Sequence, residues 1–335
     1  YLWRMGSSNK RNWARRALFA LGPALAFHPA PAVADVCQYQ NLMPEFFAFE
    51  AATKNLAPDI RAERFAKEFA AKHPAFYGDK DLGWPARVQK DSLGLLDPRQ
   101  AESLPGFPPL TEARLHAVAR TVTNDFAAAQ DKFLKAFPDF RCQDSVEFGP
   151  SFRRFDGHEY KDAAGHGHML FGIDAIAMLH GPEDMPAFFT HELFHIYHRQ
   201  VMGARLPDPE GIPWWVMWEE GLATYVSQRL NPTLDAQQVL WFPQDIVQRM
   251  QAPGATVRAA RLMLADFDKV GGGVHWFSSG DPAPGGLPPR AGYYMGYLLA
   301  SELGRDHPLG WLAQLPPDQV KQRARAFLEA RAKAK

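Results

Sequence analysis

The chain of 335 residues contains only two cysteines, Cys37 and Cys142. That is too few for a cysteine-stapled scaffold, and their wide separation in sequence leaves no cysteine metal site. Neither charge is in excess, with 37 basic and 37 acidic residues. No basic stripe or long charge block is present, which argues against nucleic acid as a partner. No apolar run reaches the length of a bilayer-spanning helix, so no membrane span is expected in the mature chain. Internal repeats are also missing, which excludes a solenoid. What the sequence does have is apolar material, 46% hydrophobic and 13% aromatic residues, enough for the core of one large domain or two modest ones.

The even charge balance conceals an asymmetry. Residues 1–34 hold Arg4, Lys10, Arg11, Arg15 and Arg16 and no acid, so the 37 basic residues less these five leave 32 against 37 acidic in the remainder. From Met5, "MGSSNKRNWARR" reads as the positive start of an export signal, "ALFALGPALAF" as its short apolar core, and "AVA" ending at Ala34 as a small-residue cleavage site. The Arg15-Arg16 pair also resembles a twin-arginine signal. The expectation is an exported protein, periplasmic or secreted, beginning near Asp35. In an oxidising compartment Cys37 and Cys142 would form one disulfide, and on the chain-entropy account a loop of that size stabilises by about 4–5 kcal/mol.

Three regions follow: a signal at 1–34, a helical N-terminal region at 35–143 and a third region at 144–335. In the second, apolar residues recur at helical spacing, Ile60, Phe65 and Phe69 in one run and Leu115, Val118, Val122, Phe126 and Phe133 in another, and are expected to face the core. Residues 73–110 are rich in Pro and Gly and predict a long surface connection. In the third region "DSVEFGPSFRRF" and "GHMLFGIDAIAML" predict short strands around the turn-forming "DGHEYKDAAGHG". A helix then runs through "PEDMPAFFTHELFHIYHRQVMG", with Asp184 at its N-cap, Pro186 in its first turn and Gly203 past its end. Further helices are expected at about 214–230, 234–250, 255–268, 291–303 and 318–332, while the Gly/Pro-rich segment 271–290 predicts a loop at the cleft or a plain connection.

The chemistry concentrates in "THELFHIYHRQVM". Four residues apart on a helix, His191 and His195 present their imidazoles on one face, the bite a tetrahedral zinc ion requires of two ligands. Glu192 stands beside the first, where a carboxylate takes the proton of an attacking water. His198 returns to that face but about 10 Å further along the axis. It is therefore expected on the helix surface, or supporting a ligand from behind. A third ligand must come from another segment, and "PWWVMWEEGLATYVSQRL" offers Glu219 and Glu220, acids too costly to bury among tryptophans without a partner. Glu220 is the preferred ligand, with Glu219 as a solvated acid or one lying behind the ligands. Thr224, one turn on, is positioned to hydrogen-bond a ligand histidine. His158, His166, His168 and His180 lack a helical partner at ligand spacing and are expected in turns or at the surface.

"HELFH", then Glu220 in "WEEGLATY", then "GYYMGYLLA" at 292–300 resemble the gluzincin division of zinc metallopeptidases. The similarity is greatest to a group of predicted zinc-dependent proteases sharing the "HELFH", "EGLA.Y" and "GYY.GY" layout, and covers about 144–303. It implies an α+β, thermolysin-like zincin fold with a small mixed sheet, an active-site helix and a helical C-terminal portion. It further implies one Zn2+ held by His191, His195 and Glu220, Glu192 as general base, and a peptide or protein substrate. The Tyr-x-x-Gly setting of Tyr293 is similar to that of the tyrosine which stabilises the oxyanion in related enzymes; Tyr294, Tyr297 and His275 remain alternatives. In this fold "HMLFGID" would be an edge strand binding an extended peptide, or else a central strand. Two other functions fit the same residues: a metal-dependent hydrolase of a non-peptide substrate, and a metal-stabilised binding protein without turnover. An intact Glu192 weighs against the last, because a structural metal site has no use for a base.

Overall fold

The computed structural model describes residues 36–79, 110–207 and 211–334. The expected export segment 1–34 and most of the expected connection 73–110 lie outside the described residues.

The described chain is α+β and mostly helical. It opens with β1 (Tyr39–Asn41), α1 (Met43–Thr53), α2 (Pro58–Arg64), which continues through a wide turn at Phe65–Phe69, and the short α3 (Pro74–Tyr77). The long α4 (Glu112–Ala136) starts where the Thr111 hydroxyl accepts from the Arg114 amide, a side-chain cap on otherwise unpaired first-turn donors. Then come β2 (Ser145–Gly149), β3 (Gly157–Lys161), β4 (Gly167–Gly172), α5 (Ile173–Leu179), α6 (Met185–Met202) and α7 (Pro213–Leu230). Short helices α8 (Ala236–Leu240) and α9 (Ile246–Gln251), α10 (Ala255–Asp266) and α11 (Val274–Phe277) lead to α12 (Ala291–Leu303), α13 (Leu309–Ala313) and α14 (Pro317–Ala332).

The four strands form one mixed sheet in the order β1-β2-β4-β3, with β1, β2 and β4 parallel and β3 antiparallel at the edge. Alternation divides its faces. Val146, Phe148, Met169 and Phe171 are all buried against helices. Phe126 of α4 meets Phe148 at 5.5 Å, Phe171 at 5.8 Å and Phe189 of α6 at 5.4 Å, so α4 and α6 cover that face. The opposite face is more polar, with Glu147, His158, Tyr160 and His168, and α3 lies over it: the Tyr160 hydroxyl donates to the Ala75 carbonyl at 2.6 Å. One continuous core runs from Cys37 to Leu328. A disulfide joins Cys37 to Cys142 and ties the start of β1 to the chain entering β2.

Several expectations are corrected. "HMLFGID" is a central strand between β2 and β3, as its buried apolar residues require, and its apolar continuation turns into α5. The edge next to it is β3, inside the segment read as a turn, with β1 at the other edge; an edge strand with one solvated side needs few apolar residues, so β3 carries little sequence signal. The expected helix 234–250 is broken at Trp241, whose φ of 60° with ψ of −70° closes a tight turn in which the Phe242 amide donates to the Leu240 carbonyl at 2.8 Å. Ile60 is 46% exposed and not part of the core stripe. The 73–110 segment begins with a helix whose Phe76 and Tyr77 are buried, and 271–290 contains the single helical turn α11. The Asp184 carboxylate, at the N-cap of α6, accepts from the Gly181 amide and makes no capping bond to the helix.

Candidate metal centre

Helices α6 and α7 are clamped side by side through small polar residues. The Ser227 hydroxyl donates to the Ala187 carbonyl at 2.7 Å, and the Asn231 amide donates to the Thr190 hydroxyl at 3.0 Å. These bonds set the rotation of α7 so that Glu220 faces α6. Its carboxylate lies 3.3 Å from His191 Nε2 and 3.5 Å from His195 Nε2, and the two imidazole nitrogens are 3.0 Å apart. All three residues are buried, at 2%, 8% and 2% exposure for His191, His195 and Glu220.

Their geometry fits a metal ion. Bonds of about 2.0–2.1 Å to a tetrahedral centre place ligand atoms about 3.3–3.4 Å apart, close to the three separations here. One imidazole nitrogen from each histidine and one carboxylate oxygen converge, and among the described residues this is the one group of three or more such side chains able to hold an ion. The donor set suits zinc and several other divalent metals alike.

Electrostatics favour a cation at the same place. Burial drives the His191 imidazole down to about 4 and so keeps it neutral. Burial acts on His195 too, but the Glu220 carboxylate outweighs it and raises this imidazole to about 9. Glu220 stays ionised, since the charge of His195 and hydrogen bonds from both histidines overcome its burial. Without an ion the cluster therefore holds a proton that a metal would displace. Glu192, pointing the same way from α6, is pushed up to about 8 by burial, with Asp156 and Glu220 adding to the rise and His195 opposing it.

The third wall comes from α12. Gly221 of α7 and Gly296 of α12 meet backbone to backbone, because a side-chain carbon on either would occupy the other's main chain or the Met217 carbonyl. Glu220 immediately precedes one glycine and Tyr293 sits one turn before the other, so this crossing carries Tyr293 to the cluster. The Tyr293 ring stacks 6.5 Å from His191. Burial, followed by the Glu220 charge, holds its phenol well above the ordinary value, so it remains a hydrogen-bond donor.

The alternatives fall elsewhere. The Tyr297 hydroxyl donates to Gln228 at 2.6 Å, His275 is exposed on α11, and the Tyr294 phenol is near Gln251 and Arg331. Glu219 is half-buried, and its charge reaches His195 and Arg199 while its neighbour takes the cluster position. Thr224 does not reach a histidine: its hydroxyl donates to the Glu220 carbonyl at 2.8 Å, the bond a helical threonine makes by default. His198 is not on the surface. It is 1% exposed, stacked between Phe194 at 5.4 Å and Trp215 at 5.5 Å, and neither of its nitrogens has a partner.

Of His158, His166, His168 and His180 only His166 is exposed, in the turn after β3. His168 is buried on β4 against the Ser145 hydroxyl at 2.7 Å, and His158 on β3 pairs with Asp79 at 2.7 Å. His180 is buried and pairs with Asp156 at 3.0 Å. None of the four joins the triad.

Sequence reasoning missed three neighbours. The Trp241 ring lies 5.2 Å from that of His191. Gly157, opening β3, abuts the Glu192 carboxylate so closely that a side-chain carbon there would sit 2.9 Å from it. Arg290, the left-handed residue before α12, places its guanidinium 4.0 Å from the Tyr293 ring. Their sequence signals are slight: an arginine between a Pro/Gly-rich loop and a helix, and a glycine in a turn-like segment. The chain matches no family model, no curated protein and no solved structure.

Proposed function

We propose that the protein is an exported zinc-dependent metallopeptidase of the thermolysin-like zincin kind, hydrolysing peptide or protein substrates. One observation carries the reading: the Glu220 carboxylate stands within 3.5 Å of both imidazoles of a His-Glu-x-x-His helix, with the intervening Glu192 outside that group yet near enough to feel the charges of His195 and Glu220. The mixed sheet supports the fold assignment, since its antiparallel edge strand passes directly over that glutamate. The Cys37–Cys142 disulfide supports an oxidising compartment, and among the described residues no helix is long and apolar enough to cross a membrane.

A zinc ion bound by His191, His195 and Glu220 would supply a Lewis acid and a water of lowered pKa. Glu192 is the base: the positive charge of a bound ion would oppose the effect of burial and favour its ionised form, which takes a proton from the attacking water and returns it to the departing amine nitrogen. The Tyr293 phenol, protonated throughout the working pH range, donates a hydrogen bond to the oxygen that gains charge as the carbonyl is attacked. The side of β3 that pairs with no strand among the described residues would offer backbone donors and acceptors to an extended peptide, and begins at Gly157 beside the base.

The test is Glu192→Gln, with zinc content measured beside cleavage of a denatured protein substrate. Expected are one zinc per chain in both proteins and a loss of cleavage of about 10²–10⁴-fold in the variant. Zinc retained with no cleavage by either protein, on peptides or proteins, would set the peptidase reading aside.

A further inference from the structure

Arg290 is a buried guanidinium with no ion-pair partner among the described residues. The residue is 5% exposed, its Nε has no hydrogen-bond partner, and among the described residues no carboxylate comes within ion-pair distance of it. Arginine is rarely left so, because removing a guanidinium from water costs several kcal/mol unless its donors are met. Other arginines of this chain are paired: Arg199 with Asp144 at 2.8 Å, Arg325 with Asp268 at 3.0 Å.

What surrounds Arg290 is aromatic. Its guanidinium carbon lies 4.0 Å from the Tyr293 ring centre, 4.6 Å from Phe242 and 5.5 Å from Trp241. Such contacts offset part of the burial cost and hold the group in place, but rings supply no in-plane acceptor. The Nε–H is left without one, and it is one prong of the fork that a carboxylate takes with two parallel hydrogen bonds. Two of the three rings also border the metal cluster, Trp241 at 5.2 Å and Tyr293 at 6.5 Å from the His191 ring. The charge of Arg290 is felt at Asp156, His191, Glu192 and Tyr293, and the carboxylates of Asp156 and Glu192 offset part of it from beyond ion-pair distance. The backbone supports this placement at some cost, since Arg290 has a φ of 60° and Trp241 opposite it also has a φ of 60°.

We infer that Arg290 is an anion-binding residue beside the His191, His195 and Glu220 group, holding a carboxylate of the substrate next to the bond to be cut. This rests on the peptidase reading and narrows it. The bound group is either the carboxylate at the end of a peptide, which makes the enzyme an exopeptidase releasing short C-terminal pieces, or an acidic side chain near the cut.

The experiment uses the zinc-loaded full chain carrying Glu192→Gln, so that peptides bind without being consumed, with Arg290 native, Arg290→Gln or Arg290→Lys. Calorimetric titration compares an N-acetylated tetrapeptide ending in a free carboxylate, the same peptide ending in an amide, and the amide with Glu as its last residue. The expected result with native Arg290 is binding of the free acid, or of the Glu-containing amide, about tenfold or more above the plain amide, the worth of a charge-assisted pair. Whichever is preferred identifies the source of the carboxylate. Arg290→Gln should bring the three peptides to equal affinity at unchanged zinc content, and Arg290→Lys should keep part of the preference, since it keeps the charge and loses the fork. Equal binding by native Arg290, or a preference that survives Arg290→Gln, overturns the inference. Should no peptide bind, benzoate separates the two ideas: binding that Arg290→Gln abolishes leaves the anion site standing and the peptidase reading fallen, whereas no binding, or binding unaffected by the substitution, overturns the site as well. If the Gln variant loses zinc or its melting transition, the Lys variant decides by the same comparison, and there a peptide preference equal to that of native Arg290 counts against a fork.

Discussion

Helix α6 holds three histidines in two successive turns, and the two turns have opposite fates. In the first, His191 and His195 converge with Glu220 at 3.0–3.5 Å, and the carboxylate keeps a proton on one of the rings. In the next, His198 is as deeply buried yet meets only the faces of Phe194 and Trp215, and burial, with the charges of His195 and Arg205 adding, drives its imidazole down to about 3. Burial and residue type are alike in both turns. What separates a group able to hold a metal from a packed histidine is the acid delivered by another helix, here by the clamp and glycine crossing that orient α7.

The comparison breaks most visibly at His195. His195→Ala removes one of three ligands, so zinc affinity should fall by far more than the roughly 10–100-fold that follows loss of a residue merely supporting a ligand. Stoichiometric zinc retained after dialysis of this variant would mean that the first turn is not the metal site, and the contrast with His198 would lose its meaning.

Glu147 extends the contrast from histidine to carboxylate. Like Glu220 it is buried, at 8% exposure, but its Oε2 has no partner and burial alone pushes the group up to about 7. For an acid whose folded pKa lies above its ordinary 4.5, the folded chain holds the extra proton between those values. Stability is therefore full at low pH and is lost as pH rises through about 7, by up to about 3 kcal/mol. Glu50, also pushed up to about 7 chiefly by burial, contributes in the same window, so the difference between proteins is the quantity to read. Urea unfolding of Glu147→Gln should match the native chain near pH 4.5 and exceed it by up to about 3 kcal/mol at pH 8. Parallel curves for the two would show that Glu147 has a counter-charge after all.

What could be read from the sequence follows the range of the interactions involved. The spacing of His191 and His195 is local and survives any packing of α6, so it was plain from the sequence. Glu220 required a choice between adjacent acids, which lie about 100° apart around a helix, and that choice is made by α6. Thr224 was misjudged because a helical hydroxyl bonds its own chain first. Strand β3 was hidden because polar residues satisfy an edge, and Gly157 and Arg290 because their roles exist only when β3, the turn after α8 and the start of α12 come together beside His191 and Glu192. The break at Trp241 lies within a run whose composition favours a helix, and it takes the tertiary position of that ring beside His191 to show its use.

The smallest effect is expected at His198, and it is the most discriminating. Replacing the imidazole by leucine removes two buried nitrogens that bond nothing, while nearly conserving volume between Phe194 and Trp215. Removing an unpartnered polar group favours the folded state by about 1–3 kcal/mol, and the lost ring stacking takes back about 0.5–1.5 kcal/mol. The net should be a gain of about 1 kcal/mol in urea unfolding. Zinc content and cleavage should stay at native levels. If His198→Leu instead weakens zinc binding, the second turn takes part in metal capture through a rearranged helix, and the division of α6 into a binding turn and a packing turn is wrong.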